Sequence, residues 1–299
     1  MPKALSPPTP QHAAIAQART LLFVPGNRPE RFDKAAASGA DAIVIDFEDA
    51  VPAADKAKAR ENVAAHWPHL KTLKVPLVVR MNAADSPYAR EDIVAIARLD
   101  GLAALMVPKA ESAQGLERVA RALDGAALLP LIESAAGLDA VKSIAAAPGV
   151  LRLVVGTIDF MADTGITCDE NESELASLRF AITMATRAAK LAPAVDGVTV
   201  QTGDAQRLHT DTRRALRFGF GGKLCIHPNQ VAGVHAAMAT TEAELDWARR
   251  VLAADAASGG AAVQLDGRMV DLPVVLQARR TVARAHGATS AQAEQRASP

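Results

Sequence analysis

The chain has 299 residues, of which 49% are hydrophobic and only 3% aromatic, and its 33 Lys and Arg balance its 33 Asp and Glu. A neutral chain without a basic block argues against a nucleic-acid or membrane-surface partner, and no apolar run reaches the ~18 residues that a membrane-spanning helix needs. The two cysteines, Cys168 and Cys225, lack the spacing of a metal site or a disulfide framework. These features favour a cytoplasmic enzyme with a core of Ala, Val, Leu and Ile.

Elements of two kinds alternate along the chain after residues 1–18, which we expect to be a flexible leader without a signal peptide. Short apolar runs are typical of strands buried on both faces, and apolar residues recurring every three or four positions are typical of helices. The predicted strands cover residues 20–24, 42–46, 76–80, 103–107, 128–134, 151–159, 194–196 and 223–226. The predicted helices include residues 28–38, 53–65, 134–147, 175–191 and 203–217.

Eight strands alternating with eight helices over about 220 residues predict an α/β fold, a (β/α)8 TIM barrel over residues 19–240. A doubly wound open sheet is the competing architecture, but no Gly-x-Gly-x-x-Gly follows the first strand. Residues 241–287 should form a C-terminal helical lid or arm, with helices at 242–256 and 273–286 and a hairpin at Asp266-Gly267. Residues 288–299 should be a frayed tail.

Two consecutive predicted strands carry a carboxylate at or next to their last position. Glu133 closes the run that starts at Leu128, and Asp159 closes the run that starts at Leu151. Because parallel neighbours place their carboxyl ends at one rim, these acids should lie side by side, as ligands of a hard cation such as Mg²⁺ would. No His cluster suggests Zn²⁺ instead. Each acid taken alone has a plainer explanation, as a helix cap or a solvated loop residue.

Further charged residues follow other predicted strands. Asp46 ends the second strand, and Glu48 and Asp49 follow it. With Glu133 and Asp159 these make five acids at one rim, which would repel each other unless cations compensate. Arg80 ends the third strand, and its planar fork suits a carboxylate or an enolate oxygen. The alternative for Arg80 is a structural salt bridge to Asp46 or Glu48.

Lysines and a second arginine suggest two further ideas. Arg28 and Lys34 lie on a segment that opens a helix after the first strand, where they could grip the phosphates of a large substrate, or simply be solvated. Lys109, after the fourth strand, raises the idea of a Schiff-base aldolase, which needs a lowered lysine pKa. Nearby acids should instead raise the pKa of Lys109.

Several motifs together resemble a known family. They are Arg19-Thr-Leu-Leu-Phe-Val-Pro-Gly-Asn-Arg-Pro-Glu-Arg-Phe32, Asp46-Phe-Glu-Asp-Ala-Val51, Arg80-Met-Asn82, Val107-Pro-Lys109, Leu131-Ile-Glu-Ser134 and Ile226-His-Pro-Asn-Gln230. In order and spacing, from about Arg19 to Ala285, they resemble the citrate lyase beta subunit-like proteins of the HpcH/HpaI aldolase superfamily, whose relatives include malyl-CoA and citramalyl-CoA lyases. The resemblance implies a (β/α)8 barrel, Mg²⁺ (with Mn²⁺ as a substitute), acyl-CoA and α-keto acid as small-molecule partners, and a homotrimer or a hexamer of two trimers.

The resemblance also implies roles for particular residues. Glu133 and Asp159 match the metal ligands, with Glu133 also at the substrate, and Arg80 matches the residue that holds the thioester-derived enolate. One departure is Ile158, because relatives often carry an acid just before the metal aspartate. Its absence removes a negative charge beside the metal.

Four other residues match positions that meet the substrate. Phe23, Arg28 and Lys34 match substrate and CoA contacts. Asp271 matches an acid of the C-terminal arm that reaches the site of a neighbouring subunit.

The implied reaction is the metal-dependent cleavage, or formation, of a β-hydroxyacyl-CoA such as citramalyl-CoA or malyl-CoA, with acetyl-CoA and an α-keto acid as products. Two alternatives stay open. One is a CoA-independent aldolase acting on free hydroxy acids, which would leave Arg28 and Lys34 without a purpose. The other is a non-catalytic subunit, or one that needs acyl-carrier partners, in a citrate lyase-type complex.

Overall fold

The computed structural model describes residues 9–123 and 126–296, with side chains up to Ala285. The chain divides into two compact units between Ala237 and Met238. Within the described ranges, no helix combines the length and the apolar character needed to cross a membrane.

The first unit is a closed barrel of eight parallel strands, which confirms the predicted fold class. Each strand pairs with the next along the chain, and the eighth pairs with the first. The strands are β1 (Thr20–Pro25), β2 (Ala42–Asp46), β3 (Leu77–Arg80), β4 (Ala104–Val107), β5 (Leu128–Ile132), β6 (Val154–Val155), β7 (Val195–Asp196) and β8 (Gly222–Cys225). Because every backbone ladder closes on itself, the sheet has no open edge.

One helix precedes the first strand, and the other helices of this unit follow the strands along the chain. They are α1 (Pro10–Gln17), α2 (Phe32–Ala36), α3 (Lys56–Leu70), α4 (Ala89–Ile96), α5 (Ala113–Ala122), α6 (Ala135–Asp139), α7 (Val141–Ala145), α8 (Thr157–Thr164), α9 (Ala176–Ala188), α10 (Ala205–Arg217) and α11 (Asn229–Met238). Short 3-10 turns at Pro29–Arg31, Ala53–Asp55 and Ser173–Leu175 precede three of these helices. The single helix predicted for residues 134–147 is two short helices, α6 and α7, which meet at Ala140.

The barrel interior is filled by every second side chain of each strand, because alternate residues of a strand point to opposite faces. Its buried apolar cluster includes Leu21, Val44, Val78, Met106, Leu131 and Val154. Residues two positions apart in a strand share a face. The residue two positions after any of these therefore also points towards the barrel axis. This alternation decides which side chains lie at the mouth of the barrel, the end at which the strands have their carboxyl ends.

The expected flexible leader is wrong for the part of it that the structure describes. Thr9 caps helix α1, and Ile15 and Ala18 are buried with the barrel's interior cluster. Arg152 is fully buried and donates from Nη1 to the carbonyl oxygens of Ile15 at 2.8 Å and Ala18 at 2.6 Å. The leader therefore contributes a folded segment to the barrel core. Residues 1–8 of the predicted leader lie outside the described part of the chain.

The sixth strand is much shorter than predicted. We expected a strand over residues 151–159, whereas β6 is Val154–Val155 and helix α8 begins at Thr157. Gly156 makes the turn between them, and Asp159 consequently lies in the first turn of α8. An apolar run cannot by itself distinguish a strand from a buried helical turn, and here tertiary packing selects the helix.

The second unit contains α12 (Glu242–Ala257), the hairpin strands β9 (Val263–Leu265) and β10 (Arg268–Val270), and α13 (Leu272–Arg296). Asp266 and Gly267 have φ values of 51° and 75°, as the predicted hairpin turn requires. The helix α13 extends ten residues beyond the predicted end at His286 and includes most of the predicted frayed tail. The Ala, Gln, Glu and Arg residues of that stretch are strong helix formers. Residues 297–299 lie outside the described chain.

Candidate active site

Four polar or aromatic side chains lie on the same inward-facing side of their strands as the residues of the barrel core. Phe23 follows Leu21 by two positions, as Asp46 follows Val44, Arg80 follows Val78 and Glu133 follows Leu131. The parity that fills the barrel with apolar residues therefore places these four at its C-terminal mouth. That end of a TIM barrel is where active sites are built.

Arg80 stands at the centre of an acidic group. Its Nε and Nη2 donate to the two carboxylate oxygens of Asp46 at 2.6 and 2.7 Å. Its Nη1 lies 2.8 Å from Glu48 Oε2 and 3.3 Å from Asp49 Oδ2. Burial alone would lower the pKa of Arg80, and the charges of Asp46, Glu48 and Asp49 raise it above its ordinary value. The salt bridge that we weighed as the alternative for Arg80 is thus present.

The ion pairs fix the plane of the guanidinium group. Asp46 is fully buried and also accepts from the backbone N–H groups of Glu48 and Ala50, so its position is set independently of Arg80. The ring of Phe23 lies 4.7 Å from the Arg80 guanidinium carbon. Asp49 is the exposed member, at 54%, and makes the longest contact. A substrate oxygen could take the place of Asp49 without disturbing the buried pair.

Glu133 is buried, and only one of its two carboxylate oxygens accepts a hydrogen bond within the described chain. Its Oε1 accepts from the backbone N–H of Lys109 at 2.7 Å, while its buried Oε2 meets no hydrogen-bond partner in the described chain. Burial raises the pKa of Glu133 to about 8, the Lys109 N–H opposes this, and the charges of Glu48 and Asp159 add to it. An ionised carboxylate in this position needs a compensating cation.

Asp159 is near enough to raise the pKa of Glu133 electrostatically. It reaches the mouth from the first turn of α8, while Glu133 follows β5, whose neighbour is β6. Gly156 allows this approach, because a Cβ at Gly156 would lie 2.5 Å from Glu133 Oε2. The predicted neighbouring strands are therefore present, but the second acid is carried by a helix and not by a strand end.

Lys109 joins the two groups of acids. Its Nζ lies 3.5 Å from Glu48 Oε1, and its side chain is 49% exposed. Burial acts to lower the pKa of Lys109, but the negative charges of Glu48, Asp49 and Glu133 raise it overall. The ammonium form is therefore favoured, which is the reverse of what a Schiff-base lysine needs.

Three of the predicted site residues stand apart from this group of ion pairs. Arg28 pairs with Glu30 at 2.5 Å, and Lys34 is an exposed residue of α2. Asp271 belongs to the second unit, where its Oδ1 accepts from the backbone N–H of Val274 at 3.5 Å at the start of α13.

Two structural residues of the site escaped the sequence analysis. Asp163 Oδ2 accepts from the backbone N–H of Ala135 at 2.8 Å and so connects α8 to the segment that carries Glu133. Gly156 provides the space for Glu133. A helical interpretation of residues 157–164 would have found Asp163, because it stands four positions after Asp159 on the same helix face.

The site fits a divalent cation. The unpartnered buried oxygen of Glu133 and the neighbouring Asp159 carboxylate are hard oxygen donors, and acids outnumber Arg80 and Lys109 at the mouth. In the described ranges, no three His, Cys, Asp or Glu side chains form a group that could hold a metal ion. An ion held by two carboxylates would complete its shell with water and substrate oxygens, as Mg²⁺ does.

Comparisons with known proteins identify the family of this chain. The family model described as HpcH/HpaI aldolase/citrate lyase matches residues 19–228. A citrate lyase subunit beta-like protein of Deinococcus radiodurans is 34% identical over 90% of this chain and 97% of its own length. An L-malyl-CoA/beta-methylmalyl-CoA lyase of Cereibacter sphaeroides is 33% identical over 89% of this chain and 94% of its own length.

A solved structure covers most of the chain. The protein CitE from Mycobacterium tuberculosis, in complex with magnesium, acetoacetate and coenzyme A, superposes with a TM-score of 0.79 at 33% identity, over 91% of this chain and 99% of that one. The matched barrel, the matched family model and the acidic mouth around Arg80 lead to one conclusion. The chain belongs to the HpcH/HpaI aldolase/citrate lyase family of oxo-acid lyases.

Proposed function

We propose that this chain is a Mg²⁺-dependent carbon–carbon lyase that cleaves, or forms, a β-hydroxyacyl-CoA of the malyl-CoA or citramalyl-CoA type. The products of cleavage are acetyl-CoA and an α-keto acid. The observation that carries the proposal is the buried, unpartnered Oε2 of Glu133 beside Asp159, at the same barrel mouth as Arg80. One site thus offers ligands for a hard cation and a fixed donor for a developing oxyanion.

Glu133 and Asp159 would hold the ion. Mg²⁺ bound there would act as a Lewis acid towards the hydroxyl and carboxylate oxygens of the substrate. Mn²⁺ has the same preference for oxygen ligands and should substitute for it. Support for a metal comes from the solved M. tuberculosis relative, which carries magnesium together with acetoacetate and coenzyme A.

Arg80 would stabilise the thioester-derived enolate. As the bond between the α- and β-carbons breaks, its electron pair passes to the acetyl-CoA fragment, whose thioester oxygen becomes negative. Arg80 is already held by Asp46, so it needs no reorganisation when that charge appears. One such donor is typically worth about 3 kcal/mol in the transition state. Protonation of the enolate carbon then completes acetyl-CoA.

The remaining roles rest on resemblance. We infer that Asp271 takes the hydroxyl proton of the substrate, from a neighbouring subunit of a homotrimer or of a hexamer of two trimers. Phe23 would pack against the substrate from its place on the Arg80 guanidinium group. Arg28 and Lys34 would contact CoA, and Arg28 would have to exchange Glu30 for a phosphate.

The pairing of Arg28 with Glu30 is the observation that supports a second candidate, a CoA-independent aldolase on free hydroxy acids. A titration of the protein with CoA distinguishes the two candidates. Saturable binding that is weakened by Arg28→Ala supports the thioester substrate. Unchanged turnover of free hydroxy acids in the absence of CoA supports the aldolase.

A panel of hydroxyacyl-CoA thioesters, assayed with Mg²⁺ and with EDTA, tests the proposed function. We expect turnover of a malyl- or citramalyl-type thioester that requires Mg²⁺ and is abolished in Asp159→Ala. Asp139→Ala is the matched control, because Asp139 is an exposed acid on α6. Near-normal rates in EDTA would reject the metal role, and inertness towards every thioester would favour a subunit that needs acyl-carrier partners.

A further inference from the structure

Lys109 has an unusual backbone conformation for its residue type. Its φ is 47°, in the left-handed region that non-glycine residues seldom occupy. It stands two residues after the end of β4, where Pro108 has closed the strand. A left-handed lysine persists only where the surrounding contacts hold it there, and such positions often occur at functional sites.

The contact that accompanies this conformation involves Glu133. The Lys109 N–H donates to Glu133 Oε1 at 2.7 Å, and this is the hydrogen bond that the structure gives to the Glu133 carboxylate. The other oxygen, Oε2, faces the space kept open by Gly156. The two oxygens of Glu133 are thus differentiated: a backbone donor occupies one, and the other stays available.

The lysine ammonium makes a different and looser contact. Nζ lies 3.5 Å from Glu48 Oε1, and the side chain is about half exposed. The Lys109 side chain therefore reaches the acids around Arg80, whereas its backbone reaches Glu133. The two contacts can be separated experimentally, because a substitution can remove the ammonium group while either permitting or opposing the left-handed backbone.

We propose that Lys109 is a positioning residue whose left-handed backbone, and not its ammonium group, orients Glu133 as a metal ligand. This inference rests on the proposed cation at Glu133 and Asp159. The N–H of Lys109 fixes the Glu133 carboxylate by Oε1, so Oε2 is presented in one orientation. An outer hydrogen bond of this kind typically changes metal affinity by about 10- to 100-fold when it is lost.

Four variants test the proposal. Lys109→Gly, Lys109→Asn, Lys109→Ala and Lys109→Val all remove the ammonium group. Gly adopts the left-handed region freely and Asn tolerates it, Ala opposes it about as much as the parent lysine does, and the β-branched Val opposes it most. We expect Mn²⁺ affinity, measured by electron paramagnetic resonance on the full chain, to stay within about threefold of the parent in the Gly, Asn and Ala variants and to fall about tenfold or more in the Val variant.

The outcomes separate the two levels of inference. A parent protein that does not bind Mn²⁺ would refute the proposed metal site itself. A parent that binds, with all four variants binding equally well, would overturn the role of the Lys109 backbone. Equal losses in the Gly and Ala variants would also overturn it and assign the effect to the ammonium group. Thermal unfolding of each variant is the folding control. A loss of affinity shared by the Gly and Ala variants would overturn the proposal even if Lys109→Val does not fold.

Discussion

Arg80 and Asp46 face each other through two parallel hydrogen bonds, Nε to Oδ1 at 2.6 Å and Nη2 to Oδ2 at 2.7 Å. Both residues are buried, and they are register partners on the adjacent parallel strands β2 and β3. The bidentate geometry requires the guanidinium fork, which a lysine ammonium group cannot reproduce. The pair therefore sets the direction in which the outer edge of Arg80 can meet a substrate.

Arg80→Lys should keep the positive charge and lose the orientation. We expect the turnover number for the thioester to fall about 100-fold, in line with the loss of one preorganised donor. Arg98→Lys is the matched control, because Arg98 is an exposed residue. Steady-state kinetics of both variants give the measurement. Equal rates in the two would show that the fork has no part in the chemistry.

Gly156→Ala should displace Glu133. The added Cβ would lie 2.5 Å from Glu133 Oε2 and 2.7 Å from Glu133 Cβ, so the carboxylate must move. We expect the loss of most Mg²⁺-dependent activity and a Mg²⁺ affinity reduced at least tenfold by isothermal titration calorimetry. Gly203→Ala is the control, since no heavy atom lies within 4 Å of a Cβ there. Tight Mg²⁺ binding by Gly156→Ala would contradict the placement of Glu133 as a ligand.

Asp163→Ala should loosen the connection between α8 and the segment after β5. The lost hydrogen bond, from Ala135 N–H to Asp163 Oδ2, is worth about 1 kcal/mol, so we expect Mg²⁺ affinity to fall by at most about fivefold. Asp163→Asn keeps an acceptor oxygen and should restore the affinity. Titration calorimetry on both variants measures the effect. If the Asn variant is as weak as the Ala variant, the charge of Asp163 matters and not its hydrogen bond.

Asp41 should contribute stability that depends on pH. Burial acts to raise the pKa of Asp41, but His235, Arg19 and backbone N–H bonding lower it overall, below the ordinary 3.8. Because the folded-state pKa is depressed, this contribution is present above pH 3.8 and is lost as the pH falls through the folded-state pKa. Its charge-assisted hydrogen bonds are worth about 2 kcal/mol.

Asp41→Asn should therefore lower the free energy of unfolding at pH 7, with a difference from the parent that shrinks below about pH 4. Urea unfolding at pH 7, 5 and 3 measures this difference. Asp85→Asn, at an exposed position, provides the baseline. A gap that stays constant between pH 7 and pH 3 would assign the effect to packing and not to the charge of Asp41.

The sequence pattern predicted the barrel because parallel strands that are buried on both faces are continuous apolar runs, which are easy to recognise between helical segments. Ala42–Asp46 was predicted with its observed bounds, and the other barrel strands were found within a few residues except for the sixth. The prediction of one strand over residues 151–159 failed because an apolar run of that length is compatible with either a strand or a helical turn. The prediction of a flexible leader failed for residues 9–18 because Ile15 and Ala18 meet partners far away in the sequence, in the barrel cluster and, through their carbonyl oxygens, at Arg152.

The sequence by itself determined the order of the elements and which residues stand at the strand ends, since both follow from local pattern and strand parity. It therefore placed Glu133, Arg80 and Asp46 at one rim. Only the tertiary structure decided that Asp159 lies on a helix and that Gly156 makes room for Glu133. It also decided that one oxygen of Glu133 accepts from Lys109 while the other meets no hydrogen-bond partner among the described residues. These are distances between segments far apart along the chain, and no local pattern encodes them.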